Sequence, residues 1–83
     1  MNISGNKILI TGGSTGIGLG LAERFLKENN SVIIIGRRKD ALDAAAEKFP
    51  GLITRVADIS FAEGREELAQ WISSHHPDLN VLE

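Results

Sequence analysis

Cysteine is missing from this 83-residue sequence, and so is tyrosine; proline occurs twice and tryptophan once. Without cysteine there is neither a disulfide framework nor a thiolate metal site. Basic residues are not in excess. Nine lysines and arginines stand against eleven acidic side chains, a net charge of −2 with the signs interspersed, which argues against a nucleic-acid-binding surface. Long hydrophobic runs are lacking too, and none approaches the roughly 20 apolar residues that span a bilayer. The N-terminus has no basic stretch followed by an apolar core, so no secretory signal is expected and the expected location is the cytoplasm. His75-His76 have no acidic or histidine partners at metal-ligand spacing, and more simply place favourable charge at a helix end. Ser14 lacks the G-x-S-x-G surroundings of a hydrolase nucleophile.

What the sequence does contain is a regular alternation of short apolar runs and amphipathic segments, with no repeat, low-complexity tract or linker. Lys7 to Thr11 predicts a strand buried on both faces, since its apolar residues are consecutive. Gly16 to about Asn29 has helical spacing, with Ile17, Leu21 and Phe25 on one face, Ala22 and Leu26 beside them, and Asn29-Asn30 as the stop. Ser31 to Ile35 is β-branched and uncharged, the plainest strand of all. A second helix is expected from Lys39 to Phe49, burying Leu42, Ala45, Ala46 and Phe49. Pro50-Gly51 signals a turn. Leu52 to Ala57 predicts a third strand, at an edge because it carries Arg55. Ser60-Phe61-Ala62-Glu63 matches a capping box for a third helix, which buries Leu68, Trp71 and Ile72 and stops before Pro77. Leu79 to Leu82 begins a fourth strand.

This βαβαβαβ order with short connections implies an α/β fold, a Rossmann-type parallel sheet with right-handed crossovers. The expected strand order is 3-2-1-4, with the reversal at the carboxyl end of the first strand. At that point lies Thr11-Gly12-Gly13-Ser14-Thr15-Gly16-Ile17-Gly18, a glycine-rich turn opening a helix. Helix N-termini carry partial positive charge and unpaired N–H donors, so a pyrophosphate is both attracted and hydrogen-bonded there. Gly12 suits the tight turn, Gly16 has no Cβ to hold a ligand off, and Gly18 allows close helix–strand packing. The stretch has no following Lys-Ser/Thr, which argues against an ATP-binding P-loop. A plain strand–helix turn is the simpler alternative for these glycines.

The stretch from Thr11 to Gly18 resembles the TGxxxGxG signature of the short-chain dehydrogenase/reductase family. The likeness continues through Gly36-Arg37-Arg38, Asp58-Ile59-Ser60 and Asn80-Val81-Leu82, covering essentially the whole chain. It implies an NAD(P)-dependent oxidoreductase that passes hydride between a nicotinamide cofactor and an alcohol or carbonyl substrate. That chemistry uses a Tyr-x-x-x-Lys pair, and this sequence has no tyrosine. The expectation is therefore a single partial NAD(P)-binding domain over residues 1–83, the first half of a longer reductase, with no catalytic residue of its own. Glu83, in a Leu-Glu pair, suits a residue added in cloning.

Where an acidic residue at the end of the second strand would accept both ribose hydroxyls of NAD, this chain has Gly36 followed by Arg37 and Arg38. An arginine there can clamp the 2′-phosphate of NADP with charge-assisted hydrogen bonds, so NADP(H) is expected ahead of NAD(H). The alternative for the two arginines is a solvated basic start to a helix. The resemblance further implies Ser14 and Thr15 at the adenosine-side phosphate and the Ile17 amide at the pyrophosphate. It also implies Asp58 at the adenine amino group and Ile59 against the ring; Asp58 could instead be only a turn residue. The expected partner is the dinucleotide, with no nucleic acid and no membrane. The open edge of the fourth strand is an expected route to self-association. Two other readings stand beside this one: a non-catalytic dinucleotide-binding or interaction module, and a folding fragment that binds nothing.

Overall fold

A computed structural model describes residues 5–12, 16–79 and 81–82 of the chain. Strands and helices alternate from one end to the other: β1 (Lys7–Thr11), α1 (Gly16–Lys27), β2 (Ser31–Gly36), α2 (Lys39–Lys48), β3 (Ile53–Val56), α3 (Ala62–His75) and β4 (Val81–Leu82). The strands form one sheet in the order β3-β2-β1-β4. Every pairing is parallel, with Leu9 opposite Ile33 between β1 and β2, and Ile34 opposite Thr54 between β2 and β3. A parallel sheet needs cover on both faces, and the apolar residues of β1 and β2 are consecutive for that reason.

Period-2 alternation divides those residues between two cores. Ile8, Ile10, Val32 and Ile34 point to one face, where they meet Ala22 of α1 and Leu42 and Ala45 of α2. Leu9, Ile33 and Ile35 point to the other, where Leu68 of α3 covers them with half-buried Trp71 and Ile72 alongside. Among the described residues β3 pairs on one side only, and its Arg55 leans over the Trp71 ring, 4.9 Å from the centroid. A charged side chain on an edge strand is thereby combined with cation–π contact.

Helix ends follow local chemistry. Asn29 takes a left-handed φ of 64° and stops α1 two residues earlier than the spacing predicts. The neighbouring Asn30 is buried; its amide donates to the Phe25 carbonyl at 2.9 Å and its Oδ1 accepts the Asn6 N–H at 3.1 Å. The end of α1 is thus stitched to the start of β1.

Three expectations are corrected. Leu21 does not lie on the buried face of α1: it is 37% exposed, whereas Ala22 is fully buried and Leu19, Phe25 and Leu26 pack around it. The apolar stripe is turned by one residue, about 100° of helix rotation. The capping box does not form. Phe61, extended at φ −109° and ψ 148°, precedes α3 with no side-chain cap, because the Ser60 hydroxyl donates to the Asp58 carboxylate instead. A charge-assisted bond to an ionised acceptor outweighs a neutral cap. Finally, β4 begins at Val81, not Leu79, since the turn after Pro77 ties the Leu79 N–H to the His76 carbonyl at 3.1 Å.

Candidate functional site: a cleft at the carboxyl edge of the sheet

The carboxyl ends of β1, β2 and β3 border a cleft of about 390 Å³, lined by residues from all three strand ends and the β3–α3 turn. Its floor begins at Thr11 and Gly12. The Gly12 N–H donates to the Ile35 carbonyl at 2.8 Å, which extends the β1–β2 ladder by one residue, and its φ of 66° then turns the chain out of the sheet. A side chain would strain this conformation, so the glycine supplies a bend and not a free donor. Ser14 and Thr15 lie outside the described residues. Beyond them Gly16 and Ile17 open α1, Gly18 is half-buried in its first turn, and no acidic residue occupies that turn. The positive end of the α1 dipole is therefore uncompensated by a carboxylate of its own helix.

The two arginines after β2 separate. Arg37 is exposed and lines the cleft beside Gly36. Arg38 precedes the first residue of α2, and its Nη2 donates to Asp40 Oδ2 at 3.2 Å, away from the cleft lining. That bond holds the Asp40 carboxyl below the usual carboxylate range.

On the far side, β3 runs out through Ala57, whose N–H donates to the Gly36 carbonyl at 2.9 Å, into Asp58, Ile59 and Ser60. Asp58 Oδ1 accepts both the Ser60 hydroxyl at 2.5 Å and the Ser60 N–H at 3.0 Å. These two bonds, and more weakly the charge of Arg37, lower the Asp58 pKa from its ordinary value. An ionised carboxylate only accepts hydrogen bonds. The lip of the cleft thus carries an acceptor fixed by a tight turn, with Ile59 as an exposed apolar surface next to it.

Of the residues singled out from the sequence, the structure brings Gly12, Arg37, Asp58 and Ile59 to one cleft, with the first turn of α1 following the Gly12 bend. It turns Arg38 towards Asp40. Sequence reasoning missed Ser60 as the group that orients Asp58, although Asp-x-Ser after a strand is a recognisable Asx-turn pattern. Among the described residues no cluster of three metal-ligating side chains occurs, and no helix is long and apolar enough to cross a membrane.

The fold recurs in known proteins. A family model described as short chain dehydrogenase matches residues 6–83. The uncharacterized oxidoreductase DltE of Bacillus subtilis is 44% identical over 82 residues, covering 99% of this chain and 32% of the relative. A Pseudomonas aeruginosa RhlG/NADP active-site complex superposes with a TM-score of 0.86 at 30% identity, over 95% of this chain and 32% of that one. A 3-ketoacyl-(acyl-carrier-protein) reductase from Brucella melitensis, complexed with NADH, gives 0.85 at 28% identity, over 98% and 34%. The chain spans about a third of the length of the curated relatives it matches. With the family model covering nearly every residue and the glycine bend, parallel sheet and cleft all in place, the chain belongs to the short-chain dehydrogenase/reductase family.

Proposed function

We propose that this chain forms the NADP(H)-binding part of a reductase that moves hydride between a nicotinamide cofactor and an alcohol or carbonyl substrate. The observation that carries this reading is the position of Arg37 on the cleft wall, beside Gly36 in the place of a ribose-binding carboxylate. The donor set suits a dinucleotide from end to end. The uncompensated N-terminus of α1, with Gly16, Ile17 and Gly18, faces the pyrophosphate, with Ser14 and Thr15 at the adenosine-side phosphate. Arg37 takes the 2′-phosphate, with Arg38 in support once it leaves Asp40. Asp58, held ionised, accepts from the adenine amino group while Ile59 covers the ring. The nicotinamide, when bound, supplies the hydride.

The tyrosine of the family's Tyr-x-x-x-Lys pair is not in this stretch, since the sequence has none. We infer that residues 1–83 are the cofactor-binding portion of a longer cytoplasmic enzyme and are inactive by themselves. The same lack of tyrosine favours one second reading, a non-catalytic dinucleotide-binding module. A hydride-transfer assay on protein purified from the native host separates the two, because only the first turns over.

The cofactor test is a titration of the chain with NADPH and NADH. Arg37→Ala should weaken NADPH binding by roughly tenfold or more, the worth of a charge-assisted contact, and leave NADH nearly unchanged. An equal loss for both cofactors refutes the 2′-phosphate role.

A further inference from the structure

The lip that carries Asp58 and Ile59 is gripped from behind by the first turn of α3. Gly64 lies so close to the Asp58 peptide that a Cβ built on it would overlap the Asp58 carbonyl oxygen, with the carbonyl carbon 2.8 Å away. Backbone cannot yield as the end of a flexible side chain can, so any other residue at 64 must displace either the turn or the helix. The next residue acts on the next carbonyl: Arg65 Nη1 donates to the Ile59 oxygen at 3.0 Å. Meanwhile the Arg65 N–H continues the helix to Phe61 at 3.1 Å, which keeps this turn of α3 in place beneath the lip.

Two consecutive carbonyls therefore meet α3, that of Asp58 packed against Gly64 and that of Ile59 bonded to Arg65. Fixing them fixes two peptide planes, because each peptide unit is rigid. Those planes flank the Ile59 Cα and so set the direction in which its side chain leaves the backbone; for Asp58 they fix the plane on its C-terminal side, and the bonds from Ser60 then orient its carboxylate. The bonds from Ser60 orient the Asp58 carboxylate, but they act within the turn and do not anchor it to the rest of the protein. Among the described residues, Gly64 and Arg65 supply that anchor from α3. Neither lines the cleft.

We infer that Gly64 and Arg65 are positioning residues for the adenine-facing lip, setting where Asp58 and Ile59 meet the base without touching it. This rests on the dinucleotide reading of the cleft. It gives the glycine a task in close approach, and it makes Arg65 a determinant of adenine affinity from outside the site.

The test uses Gly64→Ala, Arg65→Met and Arg65→Lys, with adenosine 2′,5′-bisphosphate and NADPH as probes and amide hydrogen exchange as a ligand-free readout. Arg65→Met should lose about fivefold in affinity for both probes, the ordinary worth of one hydrogen bond. Arg65→Lys keeps a donor long enough to reach the Ile59 carbonyl and should recover most of that loss. Gly64→Ala should lose more, on the order of tenfold, since it moves backbone. In both Gly64→Ala and Arg65→Met the Ser60 N–H should exchange faster, while the β2 amides of Ile33 and Ile34 stay as protected as in the parent. That last comparison separates a displaced lip from a loosened fold. Unchanged probe affinity and unchanged Ser60 exchange in both variants would overturn the inference while leaving the cofactor reading intact, as would a Lys variant no better than Met. A parent chain that takes up neither probe overturns the dinucleotide reading and this inference with it.

Discussion

His76 follows the last residue of α3, its ring against the Trp71 ring, with centroids 4.8 Å apart in an edge arrangement. Its Nδ1 accepts from Lys7 Nζ at 3.2 Å, and the same lysine reaches Asp78 at 2.9 Å. Among the described residues the charged and titratable groups that act on this ring are Lys7 from β1, Asp78 from the following turn, and His75 on its own helix. Burial lowers the His76 pKa from 6.5, Lys7 lowers it further, and Asp78 opposes them only in part. The unfolded chain then binds more protons than the folded one just below 6.5, so the contribution of His76 is fully present above that pH. It is lost as the pH falls towards the depressed folded value. Protonation also turns Nδ1 from acceptor into donor and breaks its bond with Lys7. Thermal midpoints should fall between pH 7 and pH 5, and His76→Asn, which keeps an acceptor that does not titrate, should flatten that slope. A slope identical in parent and variant would remove His76 as its source. Asp78 acts in a separate window: its pKa is lowered mainly by the bond from Lys7, so its contribution is lost only as the pH falls below about 3.8.

Among the elements, β2 carries both cores. Val32, Ile33, Ile34 and Ile35 are all 1% exposed or less, and they alternate between the faces covered by α1 with α2 and by α3. Ile34→Ala leaves a cavity where Ile8, Ile10, Ala22 and Leu42 converge. Such truncations typically cost about 2–5 kcal/mol. A chain of this length is typically stable by only about 4–12 kcal/mol, so the variant should unfold at a markedly lower urea midpoint by circular dichroism. A shift smaller than that of exposed Leu21→Ala would mean that β2 does not bear the core. The sequence announces β2 because four β-branched residues in a row, free of charge, glycine and proline, have no amphipathic alternative. Gly12 and Arg37 stood out for a related reason: each stands at a strand end, where a chemical type and a position coincide, whereas Asp58 and Ile59 come from the family resemblance. The rotation of α1 was not legible. Leu19, Leu21, Ala22, Phe25 and Leu26 offer two overlapping stripes, and only the sheet beneath decides that Ala22 faces inward. Gly64 was hidden for the same reason, since nothing near it in the chain says that a backbone carbonyl from another segment will lie against it.

Taken as a whole, the molecule has a radius of gyration of 12.0 Å, close to the roughly 12 Å expected of a compact chain this long. Its sheet nevertheless has two edges of different character. At β3, exposed Arg55 puts charge along the rim, a standard guard against pairing with another chain. At β4 the two residues Val81 and Leu82 pair with Ile8 and Leu9 of β1, and among the described residues no strand lies beyond them. Among the described residues nothing pairs with the outer edge of this apolar strand, and such an edge is a template for addition of another strand. Concentration should therefore matter for this chain: its weight-average sedimentation coefficient should rise as protein concentration is raised. Leu82→Lys adds a charge to β4 and should shift the population towards monomer, whereas a further lysine on the guarded edge, Thr54→Lys, should change little. The cleft lies across the ends of β1, β2 and β3 and not along β4. Saturating cofactor should thus leave the association unchanged, while a parent chain that sediments as a tight monomer at every concentration would show that the β4 edge does not recruit a second copy.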